Sequence, residues 1–271
     1  MKLGFLGGGN MAAALIGGLL HKGMRGEDIL VVELDAARRA WLREHFPVQV
    51  PDGDAALVEQ ADVLVLAVKP QQLRGALATL PTPYPGQLIL SVAAGVRAAD
   101  ISRWLAGHGA VVRAMPNTPA LIGAGITGLY ALPGVIPAQR EQASRVMEAV
   151  GQVVWVEHEA LLDVITAVSG SGPAYVFYFI EALESAAISL GLEAAVARLL
   201  AQQTFFGAAA LCIKDGAPPS ELRARVTSKG GTTERAIEVL EQRQVRAALL
   251  DAVRAAAERS RELGELLGKD A

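Results

Sequence analysis

The sequence has one cysteine, Cys212, so no intrachain disulfide can form, and the composition fits a reducing cytoplasm. Cys212 lies on an apolar helical stretch and reads as core rather than nucleophile. Histidines are equally sparse. His21, His45, His108 and His158 are scattered and none pairs with cysteine or carboxylates at metal-ligand spacing, so no metal is expected. There is no excess of positive charge. The net charge is −3 and no basic block stands out, which argues against a nucleic-acid partner. No apolar run is expected to reach the roughly 18 residues that a membrane span needs. The first residues run directly into a strand and a glycine loop, without the apolar region and cleavage site of a signal peptide.

What is present is a large apolar fraction. Hydrophobic residues make up 52% of the 271 positions and charged residues 20%, which excludes disorder and gives core enough for one or two domains. Mean hydropathy is +0.33, much of it from alanine. The excess apolar surface is expected to enter a subunit interface, making the protein a homo-oligomer.

Short apolar runs alternate with helical patterns through the first half. Strands are expected at Leu3–Leu6, Ile29–Val32, Val63–Val68, Leu88–Ser91, Val111–Met115, Ile126–Ala131 and Val153–Val156, with helices at Met11–His21, Ala36–His45 and Pro137–Val150. This alternation implies a doubly wound α/β domain. After Glu157 the strand pattern stops. Leu161–Leu190 reads as buried helix broken by Ser169-Gly170-Ser171-Gly172-Pro173, and Ala194–Lys214, Pro219–Arg225, Thr232–Arg243 and Val245–Leu267 read as further helices. The expected division is an α/β domain over residues 1–157 and an all-helical domain over 158–271.

Three groups of residues carry chemistry. Gly7-Gly8-Gly9-Asn10-Met11-Ala12 sits between the first strand and the first helix and matches the dinucleotide-binding G-x-G-x-x-G/A pattern. Gly7 makes the turn, Gly9 admits the pyrophosphate, and the free N–H groups of the helix start hold it. Glu33 follows the second strand, where an acid bonds the adenosine ribose hydroxyls and repels a 2′-phosphate; Arg38 and Arg39, one turn into the next helix, are placed either to bind that phosphate or simply to face solvent. Ala67-Val68-Lys69-Pro70 and Ser91-Val92-Ala93-Ala94-Gly95 follow strands whose carboxyl ends face the ligand crevice. Lys69 either meets the cofactor or only makes a turn, and the small residues Ala93, Ala94 and Gly95 suit a flat nicotinamide ring. Asn117, in Met115-Pro116-Asn117-Thr118-Pro119, is placed to hydrogen-bond a ligand. In the helical half, Val226-Thr227-Ser228-Lys229-Gly230-Gly231-Thr232-Thr233-Glu234 is a polar, glycine-rich loop opening a helix. It either offers N–H donors to a carboxylate or is an ordinary start capped by Thr232.

Taken together, these motifs resemble the pyrroline-5-carboxylate reductase family, in its order and across nearly the whole chain. The most specific are Ala167-Val168-Ser169-Gly170-Ser171-Gly172-Pro173-Ala174-Tyr175 and Val226-Thr227-Ser228-Lys229-Gly230-Gly231-Thr232-Thr233. The resemblance implies an N-terminal Rossmann-type dinucleotide-binding domain followed by an all-helical dimerisation domain, with dimers assembling into a decamer. It implies reduction of Δ1-pyrroline-5-carboxylate to proline with NADP(H) or NAD(H). Together with the motifs read above, it places the cofactor against Leu6, Gly7, Gly8, Gly9, Asn10, Met11, Ala67, Val68, Lys69, Pro70, Ala93, Ala94, Gly95 and Asn117, with Glu33 assigned from its place after the second strand. Ser228, Gly231, Thr232 and Thr233 would hold the substrate, in a site that includes helices of the partner, with Thr233 near the ring nitrogen and so the candidate catalytic residue. In one respect the chain departs from many NADPH-using members, which carry small polar or basic residues after the second strand. Here the run is Val32-Glu33-Leu34-Asp35, whose acids would repel a 2′-phosphate.

Hydride transfer to a protonated imine needs positioning and polarisation more than a strong protein acid, in keeping with Ser/Thr-rich motifs that lack histidine. A β-hydroxyacid dehydrogenase of similar design would need a helical-domain lysine as acid, and the few candidates, Lys214 and Lys229, do not sit in a suitable apolar helix–helix pocket by sequence. A nucleotide sensor without catalysis would have no use for the Gly-Gly-Thr-Thr loop.

Overall fold

The structure is a computed structural model that describes residues 1–51 and 55–269. The elements in chain order are β1 (Leu3–Leu6), α1 (Asn10–His21), β2 (Ile29–Val32), α2 (Ala36–His45), α3 (Ala55–Gln60), β3 (Val63–Leu66), α4 (Pro70–Thr79), β4 (Leu88–Ser91), α5 (Ala98–Trp104), β5 (Val111–Met115), β6 (Gly125–Ala131), α6 (Pro137–Met147), β7 (Gly151–Trp155) and α7 (Leu161–Ile165). These are followed by α8 (Gly172–Ser189), α9 (Ala194–Asp215), α10 (Pro219–Arg225), α11 (Thr232–Gln242) and α12 (Val245–Leu267). By contact the chain falls into two compact units, Met1–Gly170 with Ala256–Ala271, and Ser171–Ala255.

The first unit is built on one seven-stranded sheet, ordered β2-β1-β3-β4-β5-β6-β7. The strands β1 to β4 are apolar at almost every position because both faces are covered. Successive side chains alternate between two cores. Leu3, Phe5, Val63, Val65, Leu88 and Leu90 point to the side of α1 and α6, where Ala12, Leu15, Ile16, Leu19 and Ala143 meet them. Leu6, Leu64, Leu66 and Ile89 point to the side of α3, α4 and α5, against Leu57, Leu73, Leu77 and Ile101. Each such fully buried side chain contributes about 1.5–3 kcal/mol relative to exposure.

Three departures from the expected pattern stand out. β3 stops at Leu66 rather than Val68, because Pro70 occupies the first turn of α4 and holds Lys69 in an extended conformation (φ −60°, ψ 142°). β6 pairs antiparallel with β5 and parallel with β7. The link over residues 116–124 carries only a short 3-10 turn, too little chain for a parallel crossover, whereas α6 supplies one between β6 and β7. The helix expected over Pro137–Val150 likewise ends at Met147 and passes into a 3-10 turn.

A buried ionic network ties the end of α12 to this unit. Asp163 accepts from Arg97 Nη2 (2.8 Å) and from Ser260 Oγ (2.7 Å). Glu159 Oε1 accepts from Arg113 Nη1 and from the Ala98 N–H, both at 2.7 Å. Arg113 is only 3% exposed, and burial pushes its guanidinium below the ordinary arginine value against the pull of Glu159.

In the second unit α8 and α9 pack together through the small side chains of Ala197 and Ala201, with Arg198 bonded to Glu184. The expectation that the apolar stretch before Leu190 is buried helix does not hold for the single chain: α8 has no buried residue, and Phe177 and Tyr178 are exposed, as are Phe206 and Ile213 on α9. The expectation that no segment is long enough to span a membrane is also corrected. By length and composition α9 is, with a mean hydropathy of 1.4 over its most apolar stretch. Gln202, Gln203 and Thr204 interrupt the apolar run without lowering the average enough.

Candidate active site

At the carboxyl ends of β1, β2 and β3 lies a cleft of about 630 Å³. Its walls include Leu6, Gly7, Gly9, Glu33, Ala67, Val68 and Lys69, seven positions that the sequence singles out. Gly7 adopts φ +99°, and a Cβ there would come within 2.9 Å of the Ala67 backbone, so the turn out of β1 requires glycine on both counts. Gly9 differs. A Cβ there would meet nothing within 4 Å, so glycine serves the open space beside the helix start rather than the fold. Gly9 caps α1 without any side-chain bond, leaving the first N–H groups of the helix, from Asn10 and Met11 onward, without partners. A glycine cradle, unpaired N–H donors and a positive helix end fit a dinucleotide pyrophosphate.

The far end of the cleft is organised around the Gly8 peptide. Glu33 accepts the Gly8 N–H at 2.8 Å and the Asp35 N–H at 3.0 Å. Arg38 Nε donates to the Gly8 carbonyl at 2.6 Å, and its guanidinium lies 4.0 Å from the centre of the Trp41 ring. Arg39 donates to the carbonyls of Glu33 and Leu34, and Asp35 caps α2 by accepting the Arg38 N–H at 2.7 Å. The sequence leaves open whether the two arginines bind a phosphate or face solvent; in the structure both are bonded to backbone carbonyls.

The remaining predicted positions follow the carboxyl ends of neighbouring strands without lining this cleft. Pro70 opens α4. Ala93 is buried and Ala94 exposed after β4, while Gly95 sits under Leu263 and Leu267 of α12. Asn117, after β5, has both ends of its amide engaged: Oδ1 accepts from the Ile126 N–H at 3.0 Å and Nδ2 donates to the Ser169 carbonyl at 3.1 Å. That carbonyl belongs to a π-helical turn over Thr166–Gly170, where a Cβ on Gly170 would come within 2.7 Å of the flexible end of Met115. Ser169 and Gly170, the start of the interruption, therefore lie beside the end of β5. Gln72, Ala76 and Thr79 line the cleft and were not anticipated. Their spacing on one face of α4 would have shown them, had Pro70 been read as a helix start.

The Ser228–Glu234 loop belongs to the second unit. Gly230 has φ +73°, and its N–H donates to Glu234 Oε2 at 2.7 Å. The Gly231 N–H donates to the Ser228 carbonyl. Gly231, not Thr232, is the N-cap of α11, so Thr232 and Thr233 are its first two helical residues. Glycine can take the extended cap conformation without a side-chain bond, and Glu234 reaching back over the loop does the holding that a capping threonine would do. No hydroxyl of Ser228, Thr232 or Thr233 is hydrogen-bonded within the chain among the described residues, and the first N–H groups of α11 are likewise free. Hydroxyls and N–H donors at a positive helix end can hold a carboxylate and orient a polar ring atom.

A family model described as pyrroline-5-carboxylate reductase dimerisation matches residues 159–263, and one described as NADP oxidoreductase, coenzyme F420-dependent, matches residues 2–95. The chain is 44% identical to the pyrroline-5-carboxylate reductase of Pseudomonas aeruginosa, over 99% of this chain and 98% of the relative. It is 43% identical to that of Synechocystis, over 98% of this chain and 99% of the relative. Among solved structures it superposes on a pyrroline-5-carboxylate reductase from Coxiella burnetii with a TM-score of 0.92 at 40% identity, covering 97% and 98% of the two chains. A Plasmodium falciparum pyrroline carboxylate reductase with NADP bound gives a TM-score of 0.85 at 28% identity, with the same coverage. With similarity at this level running through both halves, the chain belongs to the pyrroline-5-carboxylate reductase family.

Proposed function

We propose that this protein reduces the C=N bond of Δ1-pyrroline-5-carboxylate to give L-proline, the last step of proline biosynthesis. The observation that carries the reading is the pairing of a glycine-cradled dinucleotide cleft with an unpartnered Ser/Thr loop in a chain 44% identical, end to end, to such a reductase. The reduced nicotinamide, NADPH or NADH, supplies the hydride when bound. Leu6, Gly7, Gly8, Gly9, Asn10 and Met11 hold its phosphates, Glu33 its adenosine end, and Ala67, Val68, Lys69 and Pro70 the adjoining wall. Ala93, Ala94, Gly95 and Asn117 shape the crevice beyond. Ser228, Gly231, Thr232 and Thr233 hold the substrate carboxylate and ring, and Thr233 is the catalytic residue that polarises the ring nitrogen.

Functionally, the chain divides into a cofactor domain over residues 1–157 and a helical domain over 158–271, a reading supported by a dimerisation match that begins at residue 159. That match spans α9, so the exposed apolar faces of α8 and α9 pack against a second copy rather than lipid. The assembly is a homo-oligomer, and dimers associate further into a decamer in the cytoplasm. The test is direct: with either reduced cofactor and the cyclic imine, absorbance of the reduced nicotinamide falls and proline accumulates. Folded protein that makes no proline above background removes the proposal.

A further inference from the structure

We infer that the adenosine end of the cleft is built for a ribose with a free 2′-hydroxyl, so that this chain selects NADH over NADPH through Glu33. The inference rests on the cleft being the cofactor's, and extends that reading to the choice between two dinucleotides.

Three observations converge. First, Glu33 lines the cleft with its carboxylate fixed in place, one oxygen on the Gly8 N–H (2.8 Å) and the other on the Asp35 N–H (3.0 Å). These bonds fix an anion at the end of β2 and leave each oxygen a further lone pair for a hydroxyl donor. Second, Asp35 lines the same wall with its carboxylate held on the Arg38 N–H, so a 2′-phosphate would approach two fixed negative charges. Third, the two arginines beside them are committed, and Lys69, the other cation lining the cleft, follows β3 rather than β2. Arg39 is bonded to the Glu33 and Leu34 carbonyls. Arg38 is held by the Gly8 carbonyl at 2.6 Å and stacked on Trp41. Its Nη2 has no partner, yet that atom is shielded from solvent. To meet a phosphate, Arg38 would have to leave Gly8 and lose its stacking on Trp41. The sequence supplies acids and arginines side by side and does not decide between them; the hydrogen bonds do, holding both arginines on backbone carbonyls.

The experiment measures dissociation constants of NADH and NADPH by nicotinamide fluorescence, without substrate, for the full-length wild type and for Glu33→Gln and Arg38→Met. Wild type is expected to bind NADH about tenfold more tightly than NADPH, the scale of one uncompensated like-charge contact. Glu33→Gln keeps an oxygen for the Gly8 N–H while removing the charge, and should bring the ratio to within about threefold, chiefly by tighter NADPH binding. Arg38→Met should weaken both dinucleotides alike. Wild-type protein that binds NADPH as tightly as NADH overturns the inference, whatever the stability of the variants. So does a ratio unchanged in Glu33→Gln, or a loss confined to NADPH in Arg38→Met, which would make Arg38 the reader of the 2′-phosphate. Failure of both dinucleotides to bind would overturn the cofactor reading itself.

Discussion

Replacing Thr233 by valine should separate catalysis from folding. Threonine and valine share shape and β-branching, so the substitution exchanges a hydroxyl for a methyl at nearly constant volume. Thr233 is the second helical residue of α11, half-buried, and its hydroxyl makes no bond within the chain among the described residues. Nothing in the fold is lost with it, so stability should change by no more than about 0.5 kcal/mol, which is about 2 °C in Tm for a chain of this size. If the hydroxyl bonds the ring nitrogen as hydride arrives, its loss removes a bond to a polar or charged group, about 1.5–3 kcal/mol. That corresponds to a fall in kcat/KM of about ten- to a hundredfold. The loss should lie mainly in kcat, because the bond strengthens as the nitrogen's charge changes. Thr232→Val is the control. Gly231 rather than Thr232 caps the helix, so this variant should also melt near wild type, and it should lose less activity. Steady-state kinetics and thermal melts on the three proteins decide the matter. Full activity in Thr233→Val would refute a catalytic role, and a large drop in Tm would show that the loop's hydroxyl serves the fold.

Gly9→Ala should fold normally, because the added Cβ meets nothing within 4 Å, yet bind NADH at least about tenfold more weakly by fluorescence titration, since the methyl takes up space that the pyrophosphate approaches; unchanged affinity would mean the phosphates lie elsewhere. Glu159→Leu strands the buried Arg113 charge and should cost about 3–5 kcal/mol, lowering Tm by about 6–15 °C at fixed protomer concentration. Adding Arg113→Met should recover most of that loss, and strictly additive penalties would show that the pair is not coupled. Light scattering at micromolar protein should give at least a dimer, because Phe177, Tyr178, Phe206 and Ile213 leave an apolar surface too large for a free monomer; a monomeric mass would contradict the assignment of this face.

Much of the fold could be read from hydrophobic periodicity. Ile29–Val32, Leu88–Ser91 and Val111–Met115 fall where short apolar runs place them, because strands covered on both faces must be apolar throughout. The glycine loop was readable for a similar reason: few residues other than glycine fit a turn at φ +99° with backbone 2.9 Å away. Elements with mixed faces were harder to see. α3, α4 and α5 are short, and α4 begins at a proline that reads equally well as a loop, so Gln72 and Thr79 went unrecognised as cleft residues. Membership in the oligomer was readable as excess hydropathy, but which helices carry it was not, since α8 has the composition of a core helix and becomes an exposed one only once its neighbours are placed.

By itself, the sequence determined the order of the strands, the long helices of the second half, the phosphate-binding loop and the polar loop before α11, because each depends on local rules of periodicity, turn geometry and helix ends. The tertiary structure decided what depends on distant partners. It turned β6 antiparallel, because the link after β5 is too short to cross over. It made Gly231 the cap of α11 and gave Glu234 the task of holding Gly230. It engaged Asn117 with Ile126 and Ser169, residues 9 and 52 positions away. It also settled the balance of charge beside the Gly8 peptide, where Arg38, on the cleft wall with Glu33 and Asp35, is drawn onto a carbonyl and Trp41. Composition counts charges of both signs there; which of them a ligand meets depends on the hydrogen bonds each has already made.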